Sequence, residues 1–472
     1  MFSHLHVNSA HLVSRTLRRS IQLLAVILLV IAHIESLSAA IQPETALQEA
    51  RQAFAKKDFD RTLALVEPLL DEKAVGHDAR RLKIRSLIRL SRPVDALAEY
   101  DRFVAQLTQD ERPLLRDLAI GFVTSLLKDM REQMRGAAYT ALKEVESEDT
   151  ISFFEDGVSD GSGLIRTLAV EGLGRLPAGR RSPSLNKALE DQAAMVRAAT
   201  VKVLGRSSDA AAVAKITRAL KDEQGVVSIT AAGVLAGRQQ GDAWERLIRS
   251  ATVNNPEERA TAIRMLGETK DSRALPILQQ ALKDTQPSVR GAAAAAMGNL
   301  QTKAAVPFLV EALNDRLPAV RAAAIVSLGE VGAPESISAV RATLQDVNLP
   351  VRAAAVATLL QLGVPYAALS DVVEELASSV DPGARSAVAR ALSKGKTPDA
   401  AWMLESMLSD PLPRPRIAAA RSLGQIGGNE RIPVLKKALH DQDEAVRATA
   451  GGALGRILST PPHAFEKKKP PR

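Results

Sequence analysis

The sequence from Asp315 to Gln345 reads DRLPAVRAAAIVSLGEVGAPESISAVRATLQ and is one unit of a long repeat. Pro318 stands three residues before Arg321, and we expect a helix to begin there, because a proline at the first helical position loses no hydrogen bond. Apolar residues then recur at every fourth position from Val320 to Leu328 and predict a single apolar stripe. Two helices and two tight turns account for the whole length of the unit.

The unit recurs along most of the chain. An Arg marks the same position once per unit, at the constant interval that separates Arg290 from Arg321 and with one shift of two positions late in the series: Arg135, Arg166, Arg197, Arg259, Arg290, Arg321, Arg352, Arg385, Arg416 and Arg447. Ser228 occupies the one position in this series that lacks an Arg. An Asp stands six residues before most members of the series: Asp129, Asp160, Asp191, Asp222, Asp284, Asp315, Asp346, Asp410 and Asp441. We call these residues the ladder and predict a structural role for them, since charged hydrogen bonds along the turns would join the repeats.

A Leu or Met follows each ladder position by seven residues, and a Gly usually comes next, as at Gly329. Such a Gly indicates either the end of the helix or a close crossing by another helix. The spacing predicts an all-α fold, a right-handed α-solenoid of about eleven two-helix repeats over residues 129–458. A stack of this kind grows by adding neighbours, so its length requires no larger core.

The pattern Asp-x5-Arg, an Ala-rich helix, Leu-Gly, then Pro-x-Leu-x-x-Ala-Leu-x-Asp resembles the HEAT repeat of the phycobilisome-lyase type. The resemblance covers most of the chain, from Asp129 to Leu458. It implies a solenoid with a curved groove lined by the second helix of each pair. It also implies that the Asp and Arg of the ladder join neighbouring repeats.

Residues 41–109 follow another period, and two segments of this region resemble tetratricopeptide units, although the Trp and central Gly of that family are absent. Residues 110–128 are predicted to be a truncated repeat that connects the two arrays, because Asp110 and Arg116 keep the six-residue offset of the ladder. The tail, residues 459–472, is rich in Pro and Lys and is predicted to be disordered.

The segment at residues 1–40 has the pattern of a secretory signal. Three arginines precede an apolar run at residues 21–34, and small residues end at Ala40, after which cleavage is expected. Fourteen helical residues span only ~21 Å of a ~30 Å hydrocarbon core. These features favour a periplasmic or secreted protein without a membrane span after cleavage. The alternative is a protein anchored in the inner membrane by residues 21–34.

Composition argues against several classes of function. The chain has no Cys, and only His77, His440 and His463 remain after the predicted cleavage, so the usual zinc and copper ligand sets are missing. Some relatives of this repeat type are di-iron hydroxylases that bind metal through His-Glu pairs, but this sequence contains no His-Glu dipeptide. Aromatic residues make up 3% of the chain, and the net charge after cleavage would be only about +6, which does not favour nucleic-acid binding. We therefore predict no metal, no cofactor and no enzymatic activity.

The positions five and nine residues after the ladder Arg are expected to face the groove, and basic residues cluster there at both ends of the array. The candidate binding residues are Lys202, Arg206, Arg264, Arg390, Lys394 and Arg421. The sequence favours a monomeric, non-enzymatic scaffold that binds a protein partner, for example through an acidic segment of that partner. Two alternatives remain open: a lyase- or hydroxylase-like protein that holds a cofactor or pigment in the groove, and an inner-membrane assembly factor. The candidate residues could also form an ordinary solvated face.

Overall fold

The computed structural model describes residues 42–107, 110–207, 209–395 and 397–460, and no β-strand occurs in these ranges. The predicted all-α class is confirmed. The predicted signal, residues 1–40, lies outside the described residues, as does the predicted tail from residue 461 onward. The chain divides into two compact units between Leu118 and Ala119, a boundary that falls inside the predicted connecting segment.

The first unit is helical. Its helices are α1 (42–55), α2 (Phe59–Val66), α3 (Gly76–Arg89), α4 (Pro93–Val104) and the first half of α5 (Arg112–Thr124). Small and branched apolar residues from α1, α2 and α3 form one core cluster, in which Leu47, Ala50 and Val66 are almost fully buried. Arg80 and Glu99 are buried as well and form an ion pair of 2.9 Å, so that neither charge lacks a partner.

The second unit is a series of helical pairs. The helices that carry the ladder are α6 (Glu132–Val145), α8 (Gly163–Arg175), α10 (Ala194–Leu204), α12 (Gly225–Ala236), α14 (Pro256–Glu268), α16 (Pro287–Leu300), α18 (Pro318–Val331), α20 (Leu349–Gln361), α22 (Pro382–Leu392), α24 (Pro413–Ile426) and α26 (Glu444–Ser459). Each of these helices packs against the next one in the series. We call them the inner helices.

The other helix of each pair lies outside this row. The outer helices are α7 (Ile151–Gly157), α9 (Ser184–Leu189), α11 (Ala210–Ala219), α13 (Ala243–Ser250), α15 (Leu275–Ala281), α17 (Val306–Ala312), α19 (Ile337–Ala342), α21 (Ser370–Ala377), α23 (Pro398–Met407) and α25 (Ile432–Ala438). They pack mainly on the inner helices beside them and little on one another. The inner helices therefore form the concave side of the array, because the closely packed row must have the smaller radius.

The packing of one pair follows from its sequence. Pro318 is the first residue of α18, as its missing N–H predicts. Val320, Ala324 and Leu328 are at most 1% exposed and form the expected apolar stripe. Leu309 of the outer helix α17 is fully buried too and belongs to the same core.

Most of the glycines that follow the ladder leucines lie inside their helices, and Gly267 and Gly424 allow close helix crossing, whereas Gly205 directly follows the end of α10. Gly267 lies inside α14, and a Cβ added to it would stand 2.5 Å from the Cα of Ala296 on α16. Gly424 of α24 meets Ala453 of α26 in the same way, at 2.6 Å. Of the two roles that the sequence left open for these residues, close crossing is the one that the structure supports for Gly267 and Gly424.

The inner row closes on itself, which the sequence did not predict. The last inner helix, α26, packs against the first one, α6, and we call this contact the seam. A Cβ at Gly452 would lie 2.6 Å from the carbonyl oxygen of Ala141, so only a glycine permits this approach. An ion pair of 2.5 Å between Arg131 and Glu444 also crosses the seam. The sequence predicts the curved solenoid but not its closure, which arises because small residues on α26 let the two ends of the array pack together.

Within the described ranges, no helix is both long enough and apolar enough to cross a membrane.

Candidate functional site on the inner face

The ladder links each repeat to the next through one arginine. The Nε and one Nη of Arg321 donate to the two carboxylate oxygens of Asp346, both at 2.7 Å, and the other Nη donates to the carbonyl oxygen of Asp315 at 2.9 Å. Asp346 also accepts the backbone N–H of Asn348 at 2.8 Å. The same link joins Arg135 to Asp160, Arg166 to Asp191, Arg197 to Asp222, Arg259 to Asp284, Arg290 to Asp315, Arg385 to Asp410, and Arg416 to Asp441.

The ladder charges are well shielded and mutually satisfied. The side chains of Arg321 and Asp346 are 13% and 10% exposed, and the hydrogen bond from Arg321 holds the pKa of Asp346 below its usual value. A buried ion pair of this kind stabilises only while both partners are present, because one partner alone is a desolvated charge. We therefore attribute a structural role to the ladder.

At two places the ladder pattern is broken, and at both no ladder charge is left without a partner. Ser228 replaces an Arg, and Val253 stands where its Asp partner would be, so neither charge is left alone. Arg352 has Ala377 at the corresponding position and pairs instead with Glu375, two residues earlier.

The ladder changes at the seam. Asp129 has no preceding ladder Arg and accepts two hydrogen bonds from the guanidinium of Arg131, which together with a backbone hydrogen bond lower its pKa to about 2. Arg447, at the other end, donates to the carbonyl oxygens of Asp441 and Gln442.

The positions five and nine residues after the ladder Arg line the concave side. Lys202 of α10 and Glu268 of α14 form an ion pair of 2.6 Å, although α12 lies between their helices. α12 carries glycines at both positions, Gly233 and Gly237, and therefore leaves room for this contact. We call the side on which these residues meet the inner face.

Three of the predicted binding residues meet at one hollow on the inner face. Lys202, Arg206 and Arg264 line a space of ≈ 480 Å³ that extends from α6 to α14. Lys202 is neutralised by its ion pair, whereas Arg206 contacts the carbonyl oxygen of Gly174 and Arg264 contacts the hydroxyl of Thr261. Neither arginine forms an ion pair within the described part of the chain. Both arginines therefore retain a positive charge that is available to bind an anionic group of a ligand.

The wall and floor of this hollow combine polar and apolar groups. Met195, which is 48% exposed, supplies apolar surface, and the buried side chains of Val203 and Met265 lie beneath the hollow. Thr167 and Thr230 supply hydroxyl groups. An exposed methionine suits a surface that adapts to different apolar side chains, because Met is flexible and polarisable.

The other three predicted residues lie on neighbouring inner helices. Arg390 and Lys394 follow the ladder position of α22, and Arg421 follows that of α24. Lys394 lies close enough to Glu330 to favour the ionised form of that carboxyl, whose pKa is nevertheless raised by burial. The structure thus keeps this group apart from the hollow formed by α6 to α14.

Closure of the array brings the two basic groups closer together than the sequence implied. In an open groove, α10 and α22 would lie towards opposite ends. In the closed row, α22, α24 and α26 are followed directly by α6, α8 and α10. The basic residues consequently occupy one continuous arc that includes the seam, and the other arc, from α16 to α20, carries few charges at these positions.

Arg414 is not among the binding residues predicted from the sequence. This residue stands two positions before the ladder Arg of α24 and two helical turns, or seven residues, before Arg421, so both lie on one side of the helix. Arg390 on α22 is exposed at the surface, but partial desolvation and the charges of Arg414 and Arg421 lower its pKa. A search for basic residues seven apart on the inner helices would have found Arg414.

Acidic and histidine side chains do not gather into a metal site in the described ranges: no group of three or more is arranged to hold an ion.

Comparison with known proteins identifies the repeat. HEAT repeats match residues 245–317, 306–374 and 369–455. No curated protein matches the chain. Among solved structures, the complex of CpcE and CpcF of phycocyanin lyase from Nostoc sp. PCC7120 is 21% identical, with a TM-score of 0.35, and the match covers 51% of this chain and 93% of that one.

Two further solved structures show similar helical arrays. Human deoxyhypusine hydroxylase in complex with glycerol is 21% identical, with a TM-score of 0.25, over 52% of this chain and 95% of that one. An engineered protein is 18% identical, with a TM-score of 0.24, over 72% of this chain and 99% of that one. The ladder and the paired helices make the described array an all-α solenoid, and HEAT repeats match three overlapping segments of it between residues 245 and 455.

Proposed function

We propose that this chain is an exported, non-enzymatic scaffold that binds an acidic segment of a protein partner on the inner face of its array. The observation that carries the proposal is the hollow lined by Arg206 and Arg264, two arginines without an acid partner above an apolar floor. An acidic segment with apolar residues between its charges matches this surface. Charge complementarity of this kind mainly accelerates association and sets specificity.

The proposal is tested by crosslinking in cells. A photoreactive residue at Met195 probes the hollow, and the same residue at Trp402, which is 68% exposed on the outer helix α23, is the matched control. The expected result is a crosslinked protein from the Met195 position alone, with the crosslink mapping to an acidic segment of that protein.

Charge reversal provides the second part of the test. The double change Arg206→Glu and Arg264→Glu should abolish the Met195 crosslink, whereas Arg341→Glu, an exposed change on the outer helix α19, should leave it unchanged. Equal crosslinking from the inner and outer positions, or an inner crosslink that survives the double change, would reject the proposed binding face.

Export is a separate part of the proposal and has its own test. It rests on the three arginines, the short apolar run and the small residues that end at Ala40. N-terminal sequencing of the mature protein should begin at or near Ile41. A mature protein that begins at Met1 and fractionates with the membrane supports the anchored alternative instead.

A further inference from the structure

The arginine triad, Arg390, Arg414 and Arg421, is a concentration of positive charge without a counter-charge. None of its three guanidinium groups forms an ion pair within the described ranges, in contrast to the ladder arginines beside them. Glu144, across the seam, lines one small hollow together with Arg421 and is held by Arg456 at 3.4 Å. Arg390 responds to the charge of both other members, and its pKa is lowered by partial desolvation and by them.

The local structure around the triad makes its contribution to the stability of the fold still less favourable. Arg414 is the second residue of α24, where the helix dipole already places partial positive charge and where acidic residues are the favourable choice. The Nε–H of Arg421 is buried and donates to no acceptor in the described part of the protein. A buried donor without an acceptor lowers stability, because the hydrogen bond that it made with water in the unfolded chain is not replaced. Arrangements that oppose stability in this way are characteristic of functional sites.

We propose that Arg390, Arg414 and Arg421 form an anchor for carboxylate groups spaced along an extended acidic peptide. The anchor rests on the proposed function and names the chemistry of a second contact on the same inner face, separate from the hollow of α6 to α14.

The spacing of the triad favours a peptide over a compact anion. Arg414 and Arg421 are seven residues apart on one helix, which separates their Cα atoms by about 10 Å along the axis. In an extended peptide of polyproline II geometry, which has three residues per turn and a rise of about 3.1 Å per residue, carboxylate side chains three residues apart lie on one side and are separated by about 9 Å. Arg390 contributes the third charge from the adjacent helix α22. A row of charges on two helices suits a ligand whose charges are distributed along its length.

The ladder of the same protein shows how such an arginine holds a carboxylate. In seven links, the Nε of the arginine donates to a carboxylate oxygen of the Asp. The Nε of Arg421 lacks this kind of acceptor. Side-on, two-point binding of a carboxylate is the strong geometry for arginine, and a peptide carboxylate would complete it.

The test measures binding of a fluorescein-labelled oligoglutamate peptide to the purified full chain by anisotropy at low salt. Arg390→Gln and Arg414→Gln should each raise the dissociation constant about tenfold, the equivalent of one charge-assisted hydrogen bond. Arg341→Gln is the control, because Arg341 is exposed on the outer helix α19 and lies away from the inner face. It should change the dissociation constant by less than about twofold.

Thermal melts of the same variants separate an anchor from a structural role. Because the triad repels itself, Arg390→Gln and Arg414→Gln should melt at the same temperature as the wild type or higher. Melting well below the wild type, with unchanged peptide binding, would overturn the proposal. So would equal weakening of binding by the two triad variants and by Arg341→Gln.

Inorganic phosphate distinguishes the two sources of negative charge. At constant ionic strength it should displace the peptide only at millimolar concentrations or above. Tight phosphate binding that is lost in Arg390→Gln, together with absent peptide binding, would show a compact oxyanion site and refute the peptide anchor.

Failure of the anchor and failure of the function give different results. If the anchor variants bind oligoglutamate normally while the Met195 crosslink persists, the anchor is wrong and the function stands. If the triad binds oligoglutamate as expected but no inner-face crosslink forms, the anchor stands and the proposed function is wrong.

Discussion

Removal of one ladder arginine should destabilise the contact between two neighbouring repeats. Arg321→Ala deletes two hydrogen bonds of 2.7 Å to Asp346 and one of 2.9 Å to the carbonyl oxygen of Asp315. The carboxylate of Asp346, 10% exposed, would keep only the backbone N–H of Asn348. The breaking of a buried pair from one side costs about 3–5 kcal/mol, and the residual exposure and the retained hydrogen bond place the expected loss near the lower limit, at about 3 kcal/mol.

The effect should be local, because a solenoid is stabilised by the sum of its neighbour contacts. Hydrogen–deuterium exchange should therefore accelerate most in α18 and α20, and the urea midpoint should fall. Arg316→Ala is the control, since Arg316 is an exposed cation in the same turn and its loss should stay within about 0.5 kcal/mol.

A double substitution sharpens this prediction. Arg321→Ala combined with Asp346→Ala removes the stranded carboxylate and should be less destabilising than Arg321→Ala alone. The chain contains a natural precedent in Ser228 and Val253, where both members of a link are absent. If Arg321→Ala costs no more than Arg316→Ala, or if the double variant is the least stable of the three, the ladder does not stabilise the array as described.

Acidification should weaken the ladder, because the hydrogen bond from Arg321 lowers the pKa of Asp346 in the folded state. The contribution of this carboxylate to stability is therefore complete above about pH 4 and is lost as the pH falls through the folded pKa. Melting temperatures measured from pH 7 downward should decline in that range, and less steeply in Arg321→Ala; identical slopes would contradict this origin. Gly452→Ala should open the seam, because its Cβ would lie 2.6 Å from the carbonyl oxygen of Ala141, and small-angle X-ray scattering should show a larger radius of gyration. Gly291→Ala is the control, since a Cβ at Gly291 meets nothing within 4 Å, and it should leave the radius unchanged and stabilise the helix by up to about 1 kcal/mol; equal behaviour of the two variants would show that the seam does not depend on glycine.

The sequence alone was sufficient for the repeat and its register. The all-α class, the helix start at Pro318 and the apolar stripe from Val320 to Leu328 follow from local rules, namely the missing N–H of proline and the period of the α-helix. The basic residues Lys202 and Arg206 could also be placed on one helix face by counting from the ladder.

Tertiary structure decided how these units meet. Only the packing of α26 on α6 closes the row, and only closure joins the basic residues of α22 and α24 to those of α8 and α10 in one arc. The residue spacing within a repeat does not determine how far each repeat is rotated relative to the next one. It therefore does not determine the total rotation over the eleven inner helices. That sum depends on side-chain volumes at each crossing, such as the missing Cβ of Gly452, and it determines which distant residues come together.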